Sequence, residues 1–306
     1  IGEIKDCFKI KNTIHFSHSN TVFFITTDDG DFVLKLYKKI DKEKLLREYI
    51  ILNRLIKRGF PTADIVKTVQ GDITRRYGNN YLVLYKKIHG YPLTLLFRNM
   101  REQKDAEEMI DKIFLLWKEM REGLPAIDTG MEYGFEENFG FRELLRKILA
   151  ANIEERKMKR ILQILLQCKE NLKEIYNDKR LETGIIHSNF TFSNILYDGN
   201  KLSLIDFYDH KNDMVLREFA IFFTCMYTSN LSRNLLARAA RNYVDFSNID
   251  DYGIRALYYM TMYNIVQNYI KFLYRFPYLR KTVFEHSEYI KISDFASFRR
   301  QFIKLF

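Results

Sequence analysis

The stretch "GIIHSNFTFSNILYDGNKLSLIDFYDH" (184–210) places histidine, asparagine and aspartate residues around two short apolar runs. Asn194 opens the run "NILY", and Asp206 follows the run "LSLI". The turn signal "DGNK" between the two runs predicts a short hairpin, which would bring both side chains to the same end of two strands. A carboxylate beside an amide oxygen is a suitable Mg²⁺ site, although a single Asn or Asp in such a place is far more often a turn cap.

The composition is that of a globular chain with a sizeable core. The chain has 306 residues, 47% of them hydrophobic, which is enough for one large or two modest domains. It contains no long uncharged apolar run, so no transmembrane helix is predicted. The N-terminal "IGEIKDCF" carries charge where a signal peptide would be apolar. Because the chain begins with Ile1 and not Met, we expect that residues precede it.

The three cysteines lie far apart and fit neither a metal-ligand spacing nor a disulfide framework. This cysteine usage indicates a reducing compartment, and we expect a cytoplasmic location.

The net charge of +10 predicts an anionic partner, such as a nucleotide, a nucleic acid or an acidic surface. The densest basic stretches, "RKMKR" (156–160) and "FRRQFIKLF" (298–306), are more typical of solvated helix faces than of nucleic-acid sites. Residues 101–137 have the opposite balance, with 11 acidic and 5 basic residues. That stretch is either a solvated helix face, the commoner case, or an acidic wall for an amine-bearing alcohol.

The first part of the chain alternates short β-type runs with one helix. "TVFFITT" (21–27) and "FVLKLYKK" (32–39) flank "DDGD" and predict a hairpin. Apolar residues at helical spacing predict a helix over 42–58, ended by Gly59. "YLVLYKKIHGYPL" (81–93) predicts another strand that runs into a turn.

The organisation changes near residue 88. Long segments with few Gly or Pro follow and predict helices, at 101–122, 141–178, 214–245 and 251–275. We therefore predict an α+β protein with a small β-rich N-terminal lobe at 1–87 and a larger, mainly helical C-terminal lobe at 88–306. No internal repeat and no low-complexity segment is evident.

Two charged residues of the first part fall on apolar faces. Alternation along the strand gives Lys35 apolar neighbours, so its ammonium must reach solvent or find an anion. Glu48 lies on the helix stripe of leucines 45, 52 and 55, should face inward, and needs a cation. These features predict an ion pair between Lys35 and Glu48; the alternative is two unrelated edge residues.

Taken together, these motifs resemble the aminoglycoside phosphotransferase/choline kinase-like family, whose two-lobed fold is that of the protein kinases. The family's catalytic stretch has the form H-x-D-x-x-x-x-N-x-L followed by I-D-F/W. Here "HSNFTFSNIL" and "LIDFYD" have that form with Asn189 in place of the Asp. "SHSNTVFFITTDDGDFVLKLYKK" (17–39) is similar to the family's first strands, and "NDMVLREFA" (212–220) to a later segment, with Glu218 for Asp. The motifs are closest to homoserine-kinase-like and spore-coat-kinase-like members.

The resemblance implies a binding site for ATP. Ser19 and Asn20 would lie in the loop over the phosphates. Lys35 would bind the α- and β-phosphates and would be held by Glu48. The backbone of Tyr85 to Ile88 would meet the adenine.

The resemblance also implies a metal site and a catalytic loop. Asn194 and Asp206 would hold Mg²⁺, and His187 would brace the loop that carries Asn189. Asp209 would be either a further carboxylate of the site or a turn cap. The acceptor would be a small hydroxylated metabolite.

Asn189 is the departure that matters most. An amide cannot take the acceptor's proton at neutral pH, although it can orient a hydroxyl. General-base help is worth about 10²–10⁴ in rate, so we expect slow turnover or none, with nucleotide binding intact. Three hypotheses stay open at this point: a small-molecule kinase, including a form disabled by a deliberate Asp→Asn exchange; a pseudokinase that binds nucleotide or a partner; and an unrelated fold with a basic, RNA-binding surface.

Overall fold

The computed structural model describes residues 7–8, 13–19, 21–38, 40–100, 102–124, 135–151, 155–178, 180–229, 231–275, 302 and 304–305. These residues form two compact units. The first unit holds the described residues of Ile1–Asn99, Leu116–Thr129 and Ser193–His210, and the second holds those of Met100–Leu115, Gly130–Phe192 and Lys211–Phe306. The predicted lobe boundary after residue 87 stays a prediction.

The secondary structure is an α+β mixture, as the sequence predicts. The described strands are β1 (Thr13–Ser19), β2 (Val22–Thr27), β3 (Gly30–Lys38), β4 (Ile65–Val66), β5 (Arg75–Tyr77), β6 (Asn80–Lys86), β7 (Tyr91–Pro92), β8 (Thr183–Ile186), β9 (Ile195–Tyr197), β10 (Leu202–Leu204) and β11 (Lys211–Met214). The described helices are α1 (Lys42–Lys57), α2 (Leu93–Asn99), α3 (Gln103–Gly123), α4 (Phe135–Phe139), α5 (Phe141–Ala150), α6 (Glu155–Asp178), α7 (Val215–Thr228), α8 (Arg233–Ser247) and α9 (Asp251–Arg275).

The main sheet of the first unit is antiparallel. Its strand order is β1-β2-β3-β6-β4, and β5 also pairs with β6. The predicted hairpin is confirmed, because β2 and β3 pair from Val22 with Lys35 to Thr27 with Gly30. Gly30 has φ of +129°, a conformation that L side chains rarely adopt. The glycine therefore allows the tight turn that sets the register of Lys35.

Helix α1 covers the predicted segment. Its N-cap is Asp41, whose side chain accepts the N–H of Glu43, and capping of this kind stabilises a helix by about 1 kcal/mol. The buried residues of α1 are Leu45, Glu48, Ile51, Leu52 and Leu55; they include the predicted stripe and, in addition, Ile51. The inward position of Glu48 is thus confirmed.

A second, three-stranded sheet completes the first unit, in the order β10-β9-β7. It requires a close approach at Gly90, where a Cβ atom would lie 2.8 Å from the carbonyl oxygen of Tyr197. Only glycine allows the chain to enter β7 beside β9 in this way.

The second unit is mainly helical around an aromatic core. Helix α9 packs against α7 and α6, and the ring of Phe219 on α7 stacks on Tyr243 of α8 with centroids 4.0 Å apart. A two-stranded sheet of β8 and β11 lies in the same unit. The predicted helix over 214–245 is divided because Ser232 caps a new helix by accepting the N–H of Leu235. None of the described helices is long and apolar enough to cross a membrane.

Candidate active site

The hairpin predicted from the opening stretch is present in the first unit. Strands β9 and β10 are antiparallel, with Ile195 opposite Leu204, and the N–H of Ile205 donates to the carbonyl of Asn194 at 3.0 Å. Asn194 and Asp206 therefore flank the same end of the hairpin. Asp206 has φ of 71°, a left-handed conformation that is uncommon outside glycine. Such conformations concentrate at functional sites.

Lys35 lies beside this end of the hairpin. Its Nζ donates to Oδ1 of Asp206 at 2.6 Å, and the side chains are 19% and 35% exposed. The same ammonium lies 5.4 Å from the centroid of the Tyr85 ring. The structure thus brings together a lysine of β3 and a carboxylate that lies far along the chain.

The predicted ion pair between Lys35 and Glu48 is wrong for this structure. Among the ion pairs of the described residues, the partner of Lys35 is Asp206, and Glu48 instead accepts from the hydroxyl of Tyr85 at 3.2 Å to each carboxylate oxygen. Burial raises the pKa of Glu48 to about 8, and the attraction of nearby Lys35 offsets only part of that shift. The raised pKa agrees with a Glu48 carboxyl group that is held by the Tyr85 hydroxyl and not by a cation.

A chain of aromatic side chains connects Glu48 to the turn after Asp206. The hydroxyl groups of Tyr85 and Tyr37 lie 2.8 Å apart, and burial raises the pKa of both. The Tyr37 ring lies 4.7 Å from the ring of Tyr208, over which Lys44 of α1 places its ammonium at 4.2 Å. No sequence signal pointed to Tyr208 beyond its place two residues after Asp206.

The turn itself is a 3₁₀ segment, Phe207–Asp209. The Nδ1 atom of buried His210 lies 2.8 Å from the carbonyl oxygen of Phe207. Because a carbonyl oxygen can only accept a hydrogen bond, Nδ1 is the donor. The pKa of His210 is lowered to about 4, mainly by burial; the hydrogen bond to Phe207 opposes this shift, and the nearby cations Lys44 and Arg47 contribute to it. Asp209 is exposed in this turn.

The loop that carries Asn189 belongs to the second unit, where it follows β8. His187 is fully buried, and its Nδ1 accepts the N–H of Asn189 at 3.2 Å. Glu218 of α7, also fully buried, accepts the N–H groups of His187 at 2.6 Å and of Ser188 at 3.2 Å. Ser188 has φ of 65°, so these charge-assisted bonds hold a strained backbone.

Glu218 is a residue that the sequence reasoning missed. The motif comparison noted it only as a substitute for Asp in the stretch "NDMVLREFA". One signal in the sequence could have found Glu218. It lies in a helix rich in apolar residues, and a carboxylate that is buried in such a helix must accept hydrogen bonds from nearby donors.

The residues expected around the nucleotide are only partly described. Within Tyr85 to Ile88, the N–H groups of Lys86 and Lys87 already donate to the carbonyls of Asp64 and Asp31. These two N–H groups are therefore occupied, and the expected contact between the adenine and the backbone of Tyr85 to Ile88 stays a prediction. Ser19 ends β1 with its side chain outside the described residues, and Asn20 lies outside them entirely.

Part of the acidic stretch is neutralised within the second unit. Arg238 of α8 binds Asp111 of α3 through two nitrogens and approaches Glu107 at 3.2 Å. Asn242 also donates to Asp111, at 2.9 Å, and the hydrogen bond from Arg238 lowers the pKa of Asp111. These two carboxylates therefore serve helix packing. Asp128 and Glu132 lie outside the described residues.

The sequence also matches a known family. The family model described as "Phosphotransferase enzyme family" covers residues 13–258 of the chain. The chain belongs to this phosphotransferase family. Membership fits the motif "HSNFTFSNIL" and the hairpin that ends in Asp206.

Two homoserine kinases are similar to this chain over most of its length. A homoserine kinase of Methylobacillus flagellatus is 25% identical over 224 residues, which are 72% of this chain and 63% of that protein. A homoserine kinase of Polaromonas naphthalenivorans is 22% identical over 66% of this chain and 60% of that protein. The chain thus spans less than two thirds of the length of these relatives.

Solved structures of the phosphotransferase family share the fold. The amicoumacin kinase hAmiN superimposes with a TM-score of 0.71 at 14% identity, covering 99% of this chain and 91% of that chain. The microcompartment-associated aminopropanol kinase gives a TM-score of 0.69 at 11% identity, covering 100% and 98%. At these identities the likeness shows the fold alone, which is the kinase-like fold that the motifs predict.

Proposed function

We propose that the protein transfers a phosphoryl group from ATP to a hydroxyl group of a small metabolite, with the help of Mg²⁺. The observation that carries this proposal is the 2.6 Å contact between Lys35 Nζ and Asp206 Oδ1. Phosphoryl transfer needs a cation for the nucleotide phosphates and a carboxylate for the metal. The first unit supplies both within hydrogen-bond distance of each other.

The side chains at the hairpin end suit magnesium. Asp206 would supply a carboxylate oxygen and Asn194 an amide oxygen. The described residues include no group of three or more His, Cys, Asp or Glu that could hold a metal. This agrees with Mg²⁺, which commonly binds one or two protein carboxylates and takes its other ligands from phosphates and water. When bound, the metal would neutralise charge on the phosphates.

Other residues would position the nucleotide. Lys35 would contact the phosphates, and Glu48 would stay linked to Tyr85 in the buried layer behind it. We assign the adenine to the backbone of Tyr85 to Ile88, and the phosphates to the loop at Ser19 and Asn20.

The second unit supplies the loop for the acceptor. Asn189 would orient the acceptor's hydroxyl group by a hydrogen bond, and His187 and Glu218 would hold the loop backbone. Because the transition state of phosphoryl transfer is loose, positioning accounts for most of the catalysis. An amide at this position therefore makes the reaction slow without making it impossible.

Asn189 also favours a second candidate function, a pseudokinase that binds nucleotide or a partner without turnover. The two functions are separated by the variant Asn189→Asp, assayed for ATP turnover against amino alcohols, sugars and homoserine. A kinase should gain about 10²–10⁴ in kcat, because a general base is restored. If Asn189→Asp shows no ATP turnover but still binds ATP in the presence of Mg²⁺, the pseudokinase is favoured.

A further inference from the structure

Helix α5 of the second unit has a buried face and a distinct exposed face. Its core face is formed by the buried residues Phe141, Leu144 and Ile148. Its exposed face contains four residues at positions i, i+3, i+4 and i+7: Arg142, Leu145, Arg146 and Leu149. Residues at this spacing are neighbours on a helix surface. We call these four residues the basic-apolar stripe.

The two leucines of the stripe form an exposed apolar patch. Leu145 is 37% exposed and Leu149 is 57% exposed. Single exposed apolar residues are normal on a protein surface, but these two are adjacent on one face. Tyr274 of α9, which is 39% exposed, adjoins the same end of α5, because its hydroxyl donates to the carbonyl of Lys147 at 2.9 Å.

The two arginines of the stripe keep their positive charge unpaired. Among the ion pairs of the described residues, that of α5 joins Lys147 to Glu143, so Arg142 and Arg146 have no carboxylate partner there. The hydrogen bond from Lys147 is the main cause that lowers the pKa of Glu143, and Arg146 adds to this shift. Glu136 accepts the backbone N–H of Arg142 at 2.6 Å and so caps the helix.

The excess of positive charge extends beyond the stripe. At the start of α6, Lys159 pairs with Glu155, whereas Arg156 and Arg160 are exposed. The segments around the stripe, which are residues 135–160 and the last ten residues of α9, contain nine basic and five acidic residues. Positive charge therefore remains in excess after every carboxylate of these segments has been counted.

Charge and apolar character together indicate which partner fits this surface. The same stripe of a second copy would bring like charges together, and a nucleic acid would leave the leucines without apolar contacts. A membrane surface with anionic lipids suits both kinds of residue. Leucine side chains can enter the boundary of the acyl chains, while arginines keep their guanidinium groups at the level of the lipid phosphates.

We propose that the basic-apolar stripe, with Tyr274 and the start of α6, docks the protein on a membrane surface that carries anionic lipids. The contact is peripheral and is made by side chains of folded helices. This inference goes beyond the proposed function and does not depend on it. It gives a role to the basic stretch "RKMKR" (156–160), which a nucleotide site does not explain.

Cosedimentation with vesicles tests this inference, with phosphatidylcholine alone and with a mixture of phosphatidylcholine and phosphatidylserine. We expect binding to the mixed vesicles only, and weaker binding as NaCl is added. The double variant Leu145→Ser/Leu149→Ser should bind roughly tenfold more weakly, since apolar contacts are lost. Arg142→Gln/Arg146→Gln should lose at least about tenfold, because each basic residue near an anionic surface strengthens binding about fivefold.

Two control variants match these changes at other surfaces. Leu115→Ser removes a leucine of α3 that is 61% exposed, and Arg233→Gln/Arg241→Gln removes two exposed arginines of α8. Both should bind the mixed vesicles like the unmodified protein, and melting temperatures check that all variants are folded.

The inference is overturned if the protein does not bind the mixed vesicles, or if the stripe variants bind them as well as the controls do. A loss in the arginine variant alone would show electrostatic attraction without docking of the leucines, which also contradicts it. Binding of single-stranded RNA in place of the vesicles would assign this surface to nucleic acid instead.

Discussion

The hairpin end in the first unit and the loop in the second unit differ in how they match the family pattern. At the hairpin end, Asn194, Asp206 and Lys35 are the residue types expected for a metal and a nucleotide, and two of them touch. In the loop, Asn189 replaces the expected Asp, yet Glu218 still holds the backbone. Because the loop backbone is held although an amide stands at the position of the expected base, we expect that Asn189 affects catalysis and leaves nucleotide binding unchanged.

The largest expected effect is a loss of nucleotide affinity in Lys35→Met. The variant removes the cation at the hairpin end, and we expect affinity for the ATP analogue to fall roughly 10²-fold, since a charge-assisted contact with phosphate is lost. Titration calorimetry measures the change. Lys38→Met, at an exposed lysine of the same strand, is the matched control and should bind normally. If the two variants bound the ATP analogue with equal affinity, Lys35 would not be part of the nucleotide site.

Glu218→Ala tests how the loop of Asn189 in the second unit is held. It leaves the N–H groups of His187 and Ser188 without their carboxylate in a buried place, so we expect a loss of about 2–4 kcal/mol in the free energy of unfolding. Chemical denaturation measures this loss. Glu170→Ala, at an exposed position of α6, should change stability little. A similar small change in both variants would show that Glu218 does not hold the loop.

A pH-dependent effect on stability is expected for Glu48→Gln. Burial raises the pKa of Glu48 from 4.5 to about 8, so between these values the unfolded chain releases the proton that the folded chain retains. The stability contributed by the protonated group is therefore full below pH 4.5 and is lost as the pH rises to about 8, at up to about 1.4 kcal/mol per pH unit. Glutamine can still accept the hydrogen bond from the Tyr85 hydroxyl. Because its side chain does not titrate, its contribution to stability does not depend on pH.

The measurement for this prediction is the unfolding free energy of both proteins at pH 5 and pH 8. The variant should gain stability relative to the unmodified protein as the pH rises. Glu43→Gln, on the exposed face of the same helix, is the control and should not show this trend. Parallel pH profiles of Glu48→Gln and the unmodified protein would mean that Glu48 is ionised in the fold.

Local sequence patterns predicted much of the fold, because hairpins and amphipathic helices depend on near neighbours. The β2–β3 hairpin, helix α1 and the β9–β10 hairpin all follow from turn residues and periodicity. The partner of Lys35 could not be predicted in this way. It depends on how burial sets the protonation of Glu48, which is a property of tertiary packing.

Sequence patterns predicted which residue types form the candidate site, but they predicted few of the contacts between these residues. Glu218 binds a backbone 30 and 31 positions away along the chain, and no periodicity signals such a contact.

The central claim is that the end of the β9–β10 hairpin binds the nucleotide through a metal. The most direct test is titration of a non-hydrolysable ATP analogue into the unmodified protein and into Asp206→Asn, with and without Mg²⁺. The control is Asp198→Asn, at an exposed carboxylate in the turn at the other end of the hairpin. The account predicts that Mg²⁺ strengthens binding to the unmodified protein and to Asp198→Asn, and that Asp206→Asn loses this dependence. An unchanged Mg²⁺ dependence in Asp206→Asn would contradict it.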